Sequence, residues 1–202
     1  AVEDTLDARD TRWSKTALTW SVQSALPGVL LDTFRGIIRQ AFASWSAVAN
    51  LQFVEVQAGQ ADILIATGPI DGAQGTLAWS ELPPSQPCHQ RYDTGEKWSV
   101  DGTPGQSEVE LLAVACHEIG HALGLQHASQ GTTDLMAPFY SARILTPQPG
   151  DVRRIQALYG PPTAAPTPPE PQPPAGTPGT IVIRITGADR ISVDGYRVTP
   201  IG

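Results

Sequence analysis

Three of the chain's four histidines fall within eleven residues, and their spacing constrains the local fold more than any other feature. The run is His117-Glu118-Ile119-Gly120-His121, then Ala122-Leu123-Gly124-Leu125-Gln126-His127. Spacing of i, i+4 stacks His117 and His121 on one helical face, so both imidazoles can reach one ion. Glu118 is offset around the helix and can reach ion-bound water without ligating the ion itself. Gly124 can take a positive φ, ending the helix and turning the chain back to present His127. Three neutral imidazoles and one open position make the ligand set of a catalytic zinc, whereas a structural site is closed by four protein ligands. A buried helix whose histidines are merely hydrogen-bonded is the bland alternative, but Ala or Leu would pack such a helix better.

Around this motif the sequence alternates strands and helices. Ala17–Val22, Leu51–Val56 and Ala61–Thr67 read as strands, the last with Ile63 and Ile65 on its period-2 face. Between the first two, Phe34, Ile37, Ile38, Ala41, Phe42, Trp45 and Val48 form the 3.6-residue stripe of an amphipathic helix. Gly75–Leu82 predicts a fourth strand and Gln90–Tyr92 a short fifth. Ser107 and Glu110 have capping-box spacing and predict the start of the histidine helix, and Asp151–Tyr159 predicts a last helix ending at Gly160. Interleaved elements of this kind predict a mixed α/β domain with one main sheet.

Composition sets the boundaries. Of residues 161–179, nine of 19 are Pro, which favours an extended linker and no core. Residues 180–202 alternate and contain Asp194-Gly195, a hairpin signal, so they read as a short β-hairpin tail or the start of a β domain. The expected organisation is a catalytic domain over 1–160, a linker over 161–179 and the tail over 180–202. The net charge of −7 leaves no basic footprint for nucleic acid. No apolar run approaches the roughly 18 to 20 residues of a membrane helix. The chain starts at Ala1 without a signal peptide and is expected to be a processed form.

The extended histidine motif resembles that of the metzincin metalloproteases, and within them the matrixins. Leu135-Met136-Ala137-Pro138 sits where metzincins carry a Met-containing turn beneath the zinc, and Pro138-x-Tyr140 matches the matrixin wall of the S1′ pocket. Ala128 follows the third His where adamalysin-like enzymes have Asp, and Pro138 stands where astacin- and serralysin-like enzymes have Tyr. Arg12–Trp20, Gln60–Ile63 and Asp151–Gly160 also look matrixin-like, so the resemblance covers about residues 11–160.

The resemblance implies an α/β (α+β) domain with a twisted, mainly parallel five-stranded sheet and three helices. It further implies one catalytic zinc on His117, His121 and His127, and Met136 in the Met-turn. The expected activity is a secreted, extracellular, monomeric zinc endopeptidase cutting extended polypeptides before hydrophobic P1′ residues. In it, zinc-bound water attacks with Glu118 as general base. Backbone groups of Leu77 and Ala78 would hold the substrate as an added strand, with P1′ against Pro138 and Tyr140. Asp71, Asp93 and Glu96 match the family's calcium carboxylates.

A second, structural zinc is not expected, because only His89 lies outside the motif. Trp79 and Arg91 occupy aligned positions, and a cation–π contact is expected there. Cys88 and Cys116 are expected to form a disulfide, with two free thiols as the alternative. Matrixin zymogens are held latent by a propeptide Cys on the zinc, and residues 1–11 hold no Cys, so the resemblance implies a form already activated or independent of that device. Two rival readings are a non-catalytic matrix- or partner-binding module on the same fold, and an enzyme inhibited by its own residues 180–202.

Overall fold

The computed structural model describes residues 10–129 and 131–163. The expected tail over 180–202, and the linker from residue 164 onward, lie outside them. Chain order is β1 (Ala17–Val22), α1 (Leu31–Ser46), β2 (Gln52–Glu55), a 3-10 turn (Ala58–Gln60), β3 (Ile63–Gly68), β4 (Ala78–Ser80) and β5 (Cys88–Asp93). There follow β6 (Trp98–Ser99), β7 (Val109–Glu110), α2 (Leu111–Ala122) and α3 (Pro149–Tyr159). The main sheet runs β2-β1-β3-β5-β4, parallel except for β4, which pairs antiparallel with β5 at one edge. This is the expected α/β architecture of a mainly parallel five-stranded sheet with three helices, and β6 and β7 pair as a separate two-stranded sheet.

Period-2 alternation decides which face of the sheet is covered. Leu18, Trp20, Ile63, Ile65, Cys88 and Tyr92 are buried, while their neighbours Thr19, Leu64, His89 and Arg91 are half-buried or exposed. Against the buried face lies the apolar stripe of α1, with Phe34, Ile37, Ile38, Ala41, Phe42 and Trp45 all buried. Trp20 stacks on Phe42 with ring centroids 5.0 Å apart, and Phe34 meets Tyr92 edge-on at 5.6 Å. The Trp45 indole donates to the Cys116 carbonyl at 3.0 Å, tying α1 to α2.

Several expected boundaries move by a residue or more, and three of them have a clear local reason. The histidine helix starts at Leu111, not near Ser107. Glu110 is its N-cap and its carboxylate accepts from Leu112 N–H, while Ser107 sits at φ 68°. Val109–Glu110 is already engaged as a parallel partner of Trp98–Ser99, a pairing too short to leave a sequence pattern. β4 is shorter than Gly75–Leu82 because the N–H groups of Gly75 and Thr76 donate to Glu96 and Asp71 carboxylates instead of a ladder. α3 begins two residues early, at Pro149. Gln148 and Asp151 form a reciprocal capping box there, and Pro at the first helical position has no N–H to leave unpaired.

Cys88 and Cys116 are both free and buried, which corrects the expected disulfide. Their thiols engage different elements: Cys88 Sγ lies 3.1 Å from the Glu81 carbonyl oxygen, and Cys116 meets Ser44 of α1. The Arg91 guanidinium carbon stands 6.0 Å from the Trp79 ring centroid, a cross-strand pair on β5 and β4. The expected cation–π contact is therefore present.

Candidate metal centre

The helix α2 and the turn after it bring the three histidines together. One ring nitrogen from each of His117, His121 and His127 lies within 4.8 Å of the other two. Among the described residues this is the one set of three or more ligating side chains so gathered. His117 Nδ1 is 2.8 Å from the Leu135 carbonyl and His121 Nδ1 is 2.7 Å from the Leu125 carbonyl. Each Nδ1 must carry the proton to make those bonds, so each Nε2 is left with its lone pair. His121 Nε2 and His127 Nε2 are 3.2 Å apart.

Burial holds the rings neutral. It pushes His117 down to about 4 and His121 to about 3, where the neighbouring His117 adds to the effect. His127 is lowered too, first by burial and then by the Arg154 cation. Glu118 shows the opposite response of an acid: desolvation pushes its carboxyl up to about 8. Its Oε2 is buried with no hydrogen-bond partner. Neutral nitrogen lone pairs converging beside an orphaned carboxylate oxygen fit a divalent cation with an accompanying water, and an all-nitrogen set of three suits zinc.

The floor of the site depends on two small features. Met136 is fully buried, and the Cβ that Gly120 lacks would run into Met136 Sδ and lie 2.9 Å from the Trp45 ring. Gly124, at φ 106°, has Thr11 O where a side chain would be, and Thr11 N–H donates to Gly124 O at 2.9 Å. Asp151, wholly buried, accepts from the N–H groups of Leu135 and Met136 at 2.7 and 3.1 Å. That carboxylate fixes the turn whose Leu135 carbonyl orients His117.

A cleft of ≈ 370 Å³ opens beside the histidines and is lined by His117, Glu118 and His127 together with Leu77, Ala78, Pro138 and Tyr140. All four expected substrate-contacting residues thus share one cavity with the chemistry. The Tyr140 hydroxyl accepts from Glu110 N–H at 2.7 Å, pinning that wall to the start of α2. β4 is the sheet edge. Leu77 O accepts from Asp93 N–H, so by antiparallel alternation the N–H and C=O of Ala78 point away from β5, into the open. Of the two residues expected to offer backbone groups, Ala78 has both groups turned outward, while the Leu77 carbonyl serves the sheet.

The three carboxylates assigned to calcium act as loop anchors. Asp93 accepts from the N–H groups of Ile70, Asp71, Gly72 and Gly95. Asp71 accepts from Thr76, and Glu96 from Gly75. Among the described residues they are not gathered into a ligand set.

Sequence reasoning missed Asp151 and the carbonyls of Leu135 and Leu125. The Gln148-x-x-Asp151 spacing is a capping-box signal for the first. Backbone carbonyls carry no residue-type signal at all.

Among the described residues, no helix is long and apolar enough to cross a membrane. The matrixin family profile matches residues 12–160. Stromelysin-3 of Mus musculus is 38% identical over 170 residues, covering 79% of this chain and 34% of that protein. Matrix metalloproteinase-19 of Homo sapiens is 39% identical over 189 residues, 80% of this chain and 36% of the relative. Matrix metalloproteinase-C of Caenorhabditis elegans is 38% identical over 169 residues, 74% and 29%. The chain therefore spans about a third of the length of these relatives. With the family profile matched over residues 12–160, a span that holds the three histidines, and with relatives 38–39% identical over most of the chain, the chain belongs to the matrixin family of peptidases.

Proposed function

We propose that the chain is a secreted zinc endopeptidase that cleaves extended polypeptides before hydrophobic residues. The observation that carries this reading is the convergence of three neutral imidazoles with the unpartnered Glu118 carboxylate on a cleft bordered by an open strand edge. His117, His121 and His127 would hold the zinc. When bound, zinc acidifies water and polarises a carbonyl.

The chain's own groups supply the rest. Glu118 takes the proton from the attacking water and passes it to the departing amine, from its place beside the histidines on the cleft. The outward N–H and C=O of Ala78 bind the substrate as an antiparallel or parallel extra strand, which fixes the scissile bond across the cleft. Ala113, Val114, Leu135 and Ile144 add apolar lining behind Pro138 and Tyr140, so the pocket favours an apolar P1′ side chain.

The test is cleavage of a mixed peptide library by zinc-loaded protein, with and without a chelator, the cut sites being read by mass spectrometry. Chelator-sensitive cuts before large apolar residues are expected. Glu118→Ala should retain zinc and lose about 10²–10⁴-fold in rate. Zinc-loaded protein that leaves every peptide intact, or a Glu118→Ala variant at wild-type rate, would sink this reading.

A further inference from the structure

His127 is held differently from the other two histidines. His117 and His121 are oriented through Nδ1 by backbone carbonyls, whereas among the described residues nothing accepts from His127 Nδ1. Its ring is also the exposed member of the trio. Where that ring stands is therefore set by the backbone on either side of it: Ala128 N–H donates to Met136 O at 2.8 Å after it, and Gln126, beyond the end of α2, precedes it.

Both backbone groups of Gln126 are taken by one buried ion pair. Gln126 N–H donates to Asp10 Oδ1 at 2.8 Å, and Gln126 O accepts from Arg154 Nη2 at 3.0 Å. Asp10 and Arg154 close on one another through two parallel bonds, Nη2 to Oδ1 at 2.6 Å and Nε to Oδ2 at 3.0 Å. The Asp10 side chain is 1% exposed and that of Arg154 16%. A planar fork facing a carboxylate is the pairing with the least rotational freedom available to side chains. Here it grips the two peptide groups that flank the Gln126 Cα, from two segments far apart in sequence: the irregular stretch before β1, and α3.

Neighbouring bonds hold the same turn from the same two segments. Trp13 Nε1 donates to Ala122 O at 2.8 Å, and the Tyr159 hydroxyl donates to Leu123 O at 2.7 Å. Those bonds fix the end of α2. Among the described residues, the Asp10–Arg154 pair alone bonds to the backbone of Gln126.

We propose that Asp10 and Arg154 are positioning residues for His127, setting metal affinity by clamping the backbone N–H and C=O of the residue that precedes it. This rests on the reading of the three histidines as a zinc site. Partners that orient a ligand in this way are worth about 10–100-fold in metal affinity. Without the clamp, the third imidazole samples positions away from the other two.

The test measures zinc affinity by competition with a chromophoric chelator on the full chain, for wild type, Asp10→Asn and Arg154→Met. Cobalt spectra and melting curves are recorded on the same samples. Both variants should bind zinc about 10–100-fold more weakly and show reduced tetrahedral cobalt absorption. Asp62→Asn is the control. It removes a carboxylate bonded to Lys15 and Thr19, remote from the histidines, and should lower stability while leaving zinc affinity unchanged.

Folded clamp variants with wild-type affinity would overturn the proposal, and so would an equal loss in Asp62→Asn. Asp10→Asn keeps the side chain's shape and an acceptor for Gln126, so it carries the test where Arg154→Met fails to fold. Wild type that binds zinc and cleaves nothing defeats the peptidase reading and leaves the clamp standing. Wild type that takes up no zinc defeats both.

Discussion

Gly120 lies between the two helical histidines, and its missing side chain is what lets Met136 and Trp45 close beneath the site. Two effects of Gly120→Ala oppose each other. Ala is the better helix former by about 1 kcal/mol. Against that, its Cβ would meet Met136 Sδ inside a fully packed core, and overpacking costs about 1–3 kcal/mol. Neither neighbour can retreat to solvent, since Met136 and Trp45 are both fully buried, so the steric term should win. The net of about 1 kcal/mol should lower Tm by about 2–4 °C, as read by calorimetry; an unchanged or higher Tm would refute the packing account.

The cysteines give a second expectation at this scale. Burial pushes both thiols up to about 12, so neither forms thiolate at neutral pH. A thiol reagent should find no reactive cysteine in native protein and two after denaturation. The sequence singled out His117, Glu118 and His121 because that spacing is meaningful on any helix, and His127 because Gly124 can turn the chain back toward them. It could not announce the carbonyls that orient them, nor separate free cysteines from a bonded pair, because both depend on distances between elements.

Elements were legible where one periodic face was buried, and illegible where side chains took over the backbone's hydrogen bonds. α1 followed its apolar stripe, and β1 its alternation. Between β3 and β5 the backbone is organised by carboxylates instead, which is why β4 is short, while the start of α2 is displaced by the pairing of Val109–Glu110 with Trp98–Ser99. Asp93 dominates that region. The Gly95 N–H, opposed by some desolvation and joined by the N–H groups of Ile70, Gly72 and Asp71, holds its carboxyl below the usual carboxylate range.

A folded-state value below the unfolded one means that the unfolded chain binds the proton more readily. Stability from Asp93 is therefore complete above the ordinary carboxylate range near 4 and is lost as pH falls through the lower folded value. Asp93→Asn should lower Tm by about 3–6 °C at pH 7. The gap to wild type should narrow as pH drops below about 4. A gap independent of pH down to 2 would show that the charge on Asp93 does nothing for the loop.

For the whole molecule, the question is whether zinc builds the fold or only completes it. One apolar cluster runs from Trp13 through β1, α1, β3, β5 and α2 to Tyr159, and none of the three histidines belongs to it. What orients the imidazoles is on the protein side: Leu135 and Leu125 carbonyls from residues within that cluster, and the Asp151 carboxylate under the turn. Small zinc modules without such a core unfold when stripped of metal. This domain should not. Ligand binding adds RT ln(1 + [L]/Kd), about 4 kcal/mol at a thousandfold excess over Kd. For a domain of this size that corresponds to a Tm shift of about 8–16 °C. Chelation is therefore expected to lower Tm by that amount while far- and near-ultraviolet circular dichroism at 25 °C stay native, and added zinc should restore the original Tm. Loss of the near-ultraviolet signal on chelation would mean that the metal, and not the cluster around Trp20, Phe42 and Trp45, holds the two helices on the sheet.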